Sequence, residues 1–223
     1  AAGSKPAEIA EKSVLVLRTG TAIPDRTNSN PLSMLDPFSM TFTPEAGLND
    51  ILKNLRKAAS DDKISGILID NGLMPSGWAT ADEVRIALKE FKQSGKFIYS
   101  YSDYVLMQES YFISTAADAI WLNPTSMFDF KGLAAEVTFY KDALEKLGVD
   151  VQVIRHGKFK GAVEPYILDK LSDENRFQIS EYVGSIWEYA VKAISESRGV
   201  PIERVMQLAD SLSGYDAVRM TNA

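Results

Sequence analysis

The chain has 223 residues, 45% of them hydrophobic, with a net charge of −6 at pH 7 and no cysteine. That length sustains one sizeable core with room for a helical annex. The acidic balance argues against a general nucleic-acid binder, which carries a basic face, and the lack of cysteine excludes thiol nucleophiles, cysteine-ligated zinc and disulfides. No apolar run reaches the roughly 18–20 residues that span a bilayer, and residues 1–10 show no signal-peptide pattern.

Residues 1–12 are small, polar and charged, and are expected as a disordered lead-in. Residues 13–17 (SVLVL) form a β-rich run ending at Thr19-Gly20-Thr21. Short apolar runs bounded by glycine suit strands buried on both faces of a parallel sheet. Residues 23–43 then hold Pro24, Pro31 and Pro37, which block regular structure over a stretch longer than usual connections. Met34, Leu35, Phe38, Met40 and Phe42 within it predict a loop that packs on something apolar.

Thr43-Pro44 reads as a helix start, with Leu48, Ile51, Leu52 and Leu55 as its apolar stripe. Residues 64–70 (ISGILID) are the second strand. A turn over residues 71–77 leads to Thr80, whose spacing to Glu83 predicts a capping box and a helix through Phe91 to Gly95. A third strand is expected over residues 96–101, a helix over 107–117, a fourth strand over 119–122 and a short helix over 139–147. Residues 149, 151 and 153 are alternating valines, predicting a further strand that runs into a basic turn. Ser172 caps the longest helix, whose apolar face runs from Ile179 to Ile194, and Gly199-Val200-Pro201 stops it before a last helix over 202–212. Alternating strands and helices predict an α/β fold with a largely parallel sheet and flanking helices.

The usual catalytic signatures are absent: there is no G-x-S-x-G elbow, H-E-x-x-H, P-loop or G-x-G-x-x-G. His156 is the only histidine, and beside Arg155 it reads as a surface or packing residue. Scattered acids such as Asp61-Asp62 read as solvated rather than metal-binding, so neither metal nor cofactor is expected. Lys160 stands between Phe159 and the small residues Gly161 and Ala162, with Lys158 two places back. An ammonium held among apolar groups, near a like charge, loses its preference for the charged form and becomes an amine able to take a proton. On the residues alone, an ordinary surface lysine is the commoner reading.

Residues 155–166 (RHGKFKGAVEPY), followed by ILDKLSDE, resemble the lysine segment of the signal peptide peptidase A (protease IV) family. The similarity runs from about residue 13 to residue 212, and its most specific part is the stretch from Lys160 to Tyr166. It implies a crotonase/ClpP-like fold with a helical C-terminal annex, one repeat over residues 13–212 and a truncated tail over 213–223. Lys160 would be the general base of a Ser/Lys endopeptidase, and Glu164 would orient its loop or simply lie at the surface. The family's nucleophile turn, A-S-G-G-Y, falls on residues 107–111, so Gln108 stands at the serine position and Ser110 lies two places off. The family's S-P-G-G oxyanion turn is Met74-Pro75-Ser76-Gly77 here.

Lysine present and serine absent match the N-terminal repeat of the two-repeat form. The resemblance therefore implies that the serine lies in a missing C-terminal repeat or a neighbouring subunit. It further implies apolar signal-peptide fragments as substrates, a homotetramer when full length, and the inner (cytoplasmic) membrane as the site, with the catalytic part facing the periplasm and the transmembrane anchor absent from this chain. Water is expected to reach the turn at residues 157–161 while the partner repeat is missing. Two alternatives stand: a crotonase-like acyl-CoA enzyme, which the altered turn at 74–77 disfavours, and a non-catalytic assembly scaffold.

Overall fold

The computed structural model describes residues 9–28, 46–154, 156–157 and 159–211. Strands β1 (Ser13–Arg18), β2 (Ile64–Asn71), β3 (Phe97–Ser102) and β5 (Ala119–Leu122) form one parallel sheet in the order β1-β2-β3-β5. Helices α1 (Leu48–Ser60), α2 (Trp78–Lys92) and α3 (Gln108–Ser114) make the connections. Parallel crossovers are right-handed. Because the strand order advances in one direction only, all three helices fall on the same face. The core lies there: Leu17, Ile67, Ile69 and Ile98 on the strands, with Leu55, Val84, Leu88, Phe91, Phe112 and Ile113 on the helices. The expected α/β fold with a parallel sheet and flanking helices is thus present.

Burial on both faces is not. Val14, Val16, Tyr99, Tyr101 and Trp121 occupy the opposite face and are exposed. A second, two-stranded parallel sheet, β4 (Val105–Met107) with β6 (Met127–Asp129), was not anticipated. Its strands are three residues long, too short to show a period.

Helix starts differ from the sequence expectation. Helix α1 begins after Gly47, whose N–H donates to Thr27 Oγ1 at 2.8 Å, while Leu48 N–H donates to the Pro24 carbonyl at 2.7 Å. Residues far upstream satisfy the free donors of the first turn; Thr43-Pro44 and residues 29–45 of the expected loop lie outside the described residues. Helix α2 begins after Gly77, in extended conformation, so Thr80 sits inside the first turn and caps nothing. The chain turns at the glycine before the capping box is reached.

The chain divides into two compact units, residues 1–131 with 193–223, and residues 132–192. The second holds α4 (Lys141–Lys146), a 3-10 turn (Gly161–Val163), α5 (Glu164–Ile167) and most of α6 (Asp173–Arg198). Residues 149–154 belong to no strand, against the expectation from their valines. The Val149 N–H is taken by the Leu144 carbonyl at 2.9 Å, and no described strand pairs with the segment that follows. An apolar alternation becomes a strand only where a neighbour supplies a ladder. Ser172 caps α6 as expected, accepting from Asn175 N–H at 3.2 Å. Of its predicted buried face only Ala190, Val191 and Ile194 are buried, and Tyr182 is 67% exposed. Helix α7 (Ile202–Asp210) buries Val205 and Ala209. Among the described residues no helix is long and apolar enough to cross a membrane.

Arg85 fastens the first unit. It is 4% exposed. Its Nε donates to Thr115 Oγ1 at 2.9 Å, its Nη2 donates to the Ala193 carbonyl at 3.0 Å and to Ser197 Oγ at 2.7 Å, and its guanidinium stands 4.8 Å from the Phe112 ring centre. It joins α2 to the end of α3 and to the last turns of α6. Arg85→Met keeps the volume but takes the donor from Thr115, the Ala193 carbonyl and the half-buried Ser197, and should destabilise the chain by about 3 kcal/mol. Urea unfolding checks this as a lower midpoint at unchanged slope.

Candidate active site

The C-terminal ends of β1, β2 and β3 meet α3 in a lattice of small polar side chains. Asn71 Nδ2 donates to Ser100 Oγ at 2.7 Å and to the Tyr101 carbonyl at 3.0 Å. Ser114 Oγ lies 2.8 Å from Ser100 Oγ, 3.2 Å from Asn71 Oδ1 and 2.8 Å from the Ser110 carbonyl. Ser110 Oγ donates to the Gly72 carbonyl at 3.1 Å, and Gly72 N–H donates to Thr19 Oγ1 at 3.2 Å. All five side chains are buried. A buried hydroxyl with its hydrogen bonds made rigidifies a core and offers no nucleophile to solvent. Ser110, two places from the expected serine position, is therefore a structural residue.

Gln108 is the first residue of α3, 7% exposed, with Oε1 3.5 Å from the Lys131 N–H. An amide, not a hydroxyl, stands at this helix head. Glu109 follows, and burial pushes its carboxyl above the usual range, with the Asp129 charge adding to the rise and Lys131 opposing it. Lys131 Nζ pairs with Asp129 Oδ2 at 2.9 Å, and Asp129 Oδ1 is buried without a partner. At the turn over residues 74–77, Met74 is buried and Ser76 Oγ accepts from the Ile23 N–H at 2.8 Å. The serine that replaces a glycine of the family pattern is thus used to tie the turn to β1's exit. Among the described residues no His, Cys, Asp and Glu cluster could hold a metal ion.

Lys160 lies in the second unit, whereas Gln108, Ser110 and the 74–77 turn lie in the first. It immediately precedes the 3-10 turn Gly161–Val163 and is exposed, as are His156, Gly157 and Phe159. Water reaches the turn, as expected for this chain by itself. What holds the turn is Glu164, 1% exposed. Its carboxylate accepts from Ser172 N–H at 3.1 Å, from Ser172 Oγ, and from Asn175 Nδ2 at 2.9 Å. A buried charge survives only when it is paired or hydrogen-bonded. Here the donors come from the first turn of α6, whose positive dipole end also favours an anion. A methyl group at Gly161 would overlap the Asn175 amide, so only glycine lets the lysine turn approach that side chain. On the other side the Tyr140 N–H donates to the Pro165 carbonyl at 2.6 Å, and Tyr140 stacks on Tyr166.

The sequence left Glu164 open between orienting and surface roles. The structure buries it. The signal was its spacing of eight residues to Ser172, a helix cap with spare donors, but nothing local announces that an acid before proline faces inward.

The chain is thus an α/β protein with the buried amide of Gln108 at the head of α3 and an exposed lysine on a turn held by Glu164. The model of Peptidase family S49 matches residues 90–221, more than half the sequence, and the chain belongs to that family. It is 30% identical over 158 residues to Protease 4 of Haemophilus influenzae, covering 70% of this chain and 26% of that protein. It is 31% identical over 169 residues to Protease 4 of Salmonella typhi (75% and 27%), and 28% over 170 residues to the chloroplastic serine protease SPPA of Arabidopsis thaliana (76% and 25%). The chain thus spans about a quarter of the length of these relatives. Among solved structures it is similar to an enoyl-CoA hydratase/isomerase family protein from Silicibacter pomeroyi, with 14% identity, 97% and 96% coverage and a TM-score of 0.35, too loose to place any residue.

Two outcomes test this geometry. Gly161→Ala should cost about 1–3 kcal/mol by overpacking, read as faster amide exchange over residues 161–168, and Asn175→Ala in the same chain should recover part of it. Glu109 has a raised folded pKa, so its stability contribution is greatest below the unfolded value and is lost as pH rises through the folded one. Glu109→Gln should therefore raise the melting temperature at pH 7 and change it little in acid.

Proposed function

We propose that this chain is the N-terminal repeat of a membrane-associated Ser/Lys endopeptidase that degrades cleaved signal peptides. Lys160 is the general base, and the nucleophilic serine belongs to a C-terminal repeat of the same protein. The observation that carries this reading is a pair of opposites: the buried amide of Gln108 at the head of α3, and Lys160 exposed on a turn fastened by Glu164. Among the described residues, the position that matches the family's serine holds Gln108, while the position that matches its lysine holds Lys160.

In the assembled enzyme the neutral Lys160 amine takes the proton of the serine hydroxyl as its oxygen attacks the scissile carbonyl. It returns that proton to the leaving amine. Paired N–H donors for the oxyanion come from the other repeat, because Ser76 stands where the family turn has its first glycine, leaving Gly77 alone of the pair. The substrates are extended apolar peptides, the full-length protein is a homotetramer, and it sits at the inner membrane with the catalytic part towards the periplasm, on an anchor outside this chain.

The purified chain should show no turnover of an apolar peptide ester. Co-expression with a serine-bearing C-terminal repeat should restore turnover, and Lys160→Ala should lower it about 10²–10⁴-fold with an unchanged circular dichroism spectrum. Turnover by the chain alone, abolished by replacing one of its own serines, overturns the assignment.

A further inference from the structure

The head of α6 departs from the usual capping box. In such a box a glutamate or glutamine at the third helical position reaches back to the N–H of the capping serine. Here the third position is Asn175, and the Ser172 N–H is taken instead by Glu164 Oε2 at 3.1 Å. The third position is thereby left to a donor: Asn175 Nδ2 donates to the same Glu164 oxygen at 2.9 Å. The Asn175 amide also stands where a methyl group at Gly161 would fall. One side chain thus meets both ends of the segment that follows Lys160, by contact at residue 161 and by a hydrogen bond at residue 164. We propose that Asn175 is a positioning residue for the general base, setting through Gly161 and Glu164 where Lys160 stands. The inference rests on the role proposed for Lys160.

The helix itself does not need this side chain. Ser172 Oγ already caps it, accepting from the Asn175 N–H at 3.2 Å, and asparagine is a poorer helix former than alanine. Nor does Glu164 depend on it alone, since Ser172 gives that carboxylate two further donors. What Asn175 adds is shape. Lys160 has φ −116° and ψ 63°, neither helix nor strand, and it directly precedes the 3-10 turn Gly161–Val163. The first residue of that turn rests against the Asn175 amide, and the residue after its last is bonded to it. The backbone leaving Lys160 is therefore held at two points by one group. Such a hold acts on the chemical step, where a base displaced by about 1 Å can cost on the order of 10²-fold in rate.

A like charge would undo it. Asn175→Asp keeps the shape but sets a second carboxylate beside that of Glu164. Two such groups stay together only while they share a proton, which raises the pKa of one of them. Below that pKa the turn is held, and above it the pair repels.

The test uses this chain co-expressed with a serine-bearing C-terminal repeat. Asn175→Ala should lower kcat about tenfold or more with KM unchanged. In the 223-residue chain the same variant should speed amide exchange at residues 161–164 and leave exchange in β2 as it was. Asn175→Asp should lose activity relative to the parent as pH rises, and Glu164→Gln in the same chain should remove that dependence. If Asn175→Ala does not fold, the pH series of Asn175→Asp decides. Unchanged kcat in folded Asn175→Ala, a loss carried by KM alone, a loss equal to the loss of folded protein, or an Asn175→Asp activity ratio that is flat with pH overturns the proposal. Lys160→Ala reads the underlying assignment separately. Activity that survives it removes the base and this role together, whereas an inactive Lys160→Ala beside a fully active Asn175→Ala overturns the role of Asn175 alone.

Discussion

The handedness of the crossovers is the constraint on which the first unit depends. Three right-handed connections, with strand order advancing β1-β2-β3-β5, commit α1, α2 and α3 to one face. The same choice gathers the C-terminal ends of β1, β2 and β3 at one edge, beside the head of α3. In a parallel sheet that edge is where chemistry is usually done. Here it is occupied by Thr19, Asn71, Ser100, Ser110 and Ser114, whose hydrogen bonds are made among themselves and to nearby carbonyls. The edge has become core. The hydroxyls of these residues stabilise the junction of strands and helix and, being buried, offer no nucleophile to solvent.

Arg85 extends that junction to the end of α6. A buried guanidinium without its partners would cost several kcal/mol. With Thr115, Ser197 and the Ala193 carbonyl around it, and the Phe112 face beneath, it instead holds residues 193–198 against α2 and α3. One cation thus does for the helices what the backbone ladder does for the strands.

Most of the fold was legible because burial imposes periods. The runs SVLVL, ISGILID and KFIYSY became β1, β2 and β3 within a residue or two, and the stripe at Ile51 and Leu55 became the buried side of α1. The misreadings share one cause, which is that local sequence does not name its partner. Residues 149–154 alternate as a strand does but find no ladder, and Thr80 has a capping spacing that Gly77 pre-empts. Val14 and Val16 look like core and face water. At the candidate site, Lys160 was named only through resemblance to a family, and Gln108 only through departure from it. Glu164 was half visible, because its inward direction depends on α6, which starts nine residues later.

The lysine turn combines rigidity with exposure, and the two have different physical origins. Rigidity comes from the Glu164 carboxylate, which is wholly buried and collects donors from Ser172 and Asn175 at the head of α6. The fit is closed by Gly161, where an added methyl group would have to displace the Asn175 amide. Exposure is that of Phe159 and Lys160 themselves, both of which are open to solvent. An ammonium in water keeps its proton, and only the exclusion of water or the approach of another cation makes it give the proton up. Position and activation of the base are therefore separable. The first is complete within residues 159–175, and on the proposed reading the second awaits a surface that this chain does not supply. Such a division leaves the lysine on a held turn with no buried, unpaired ammonium to destabilise the fold.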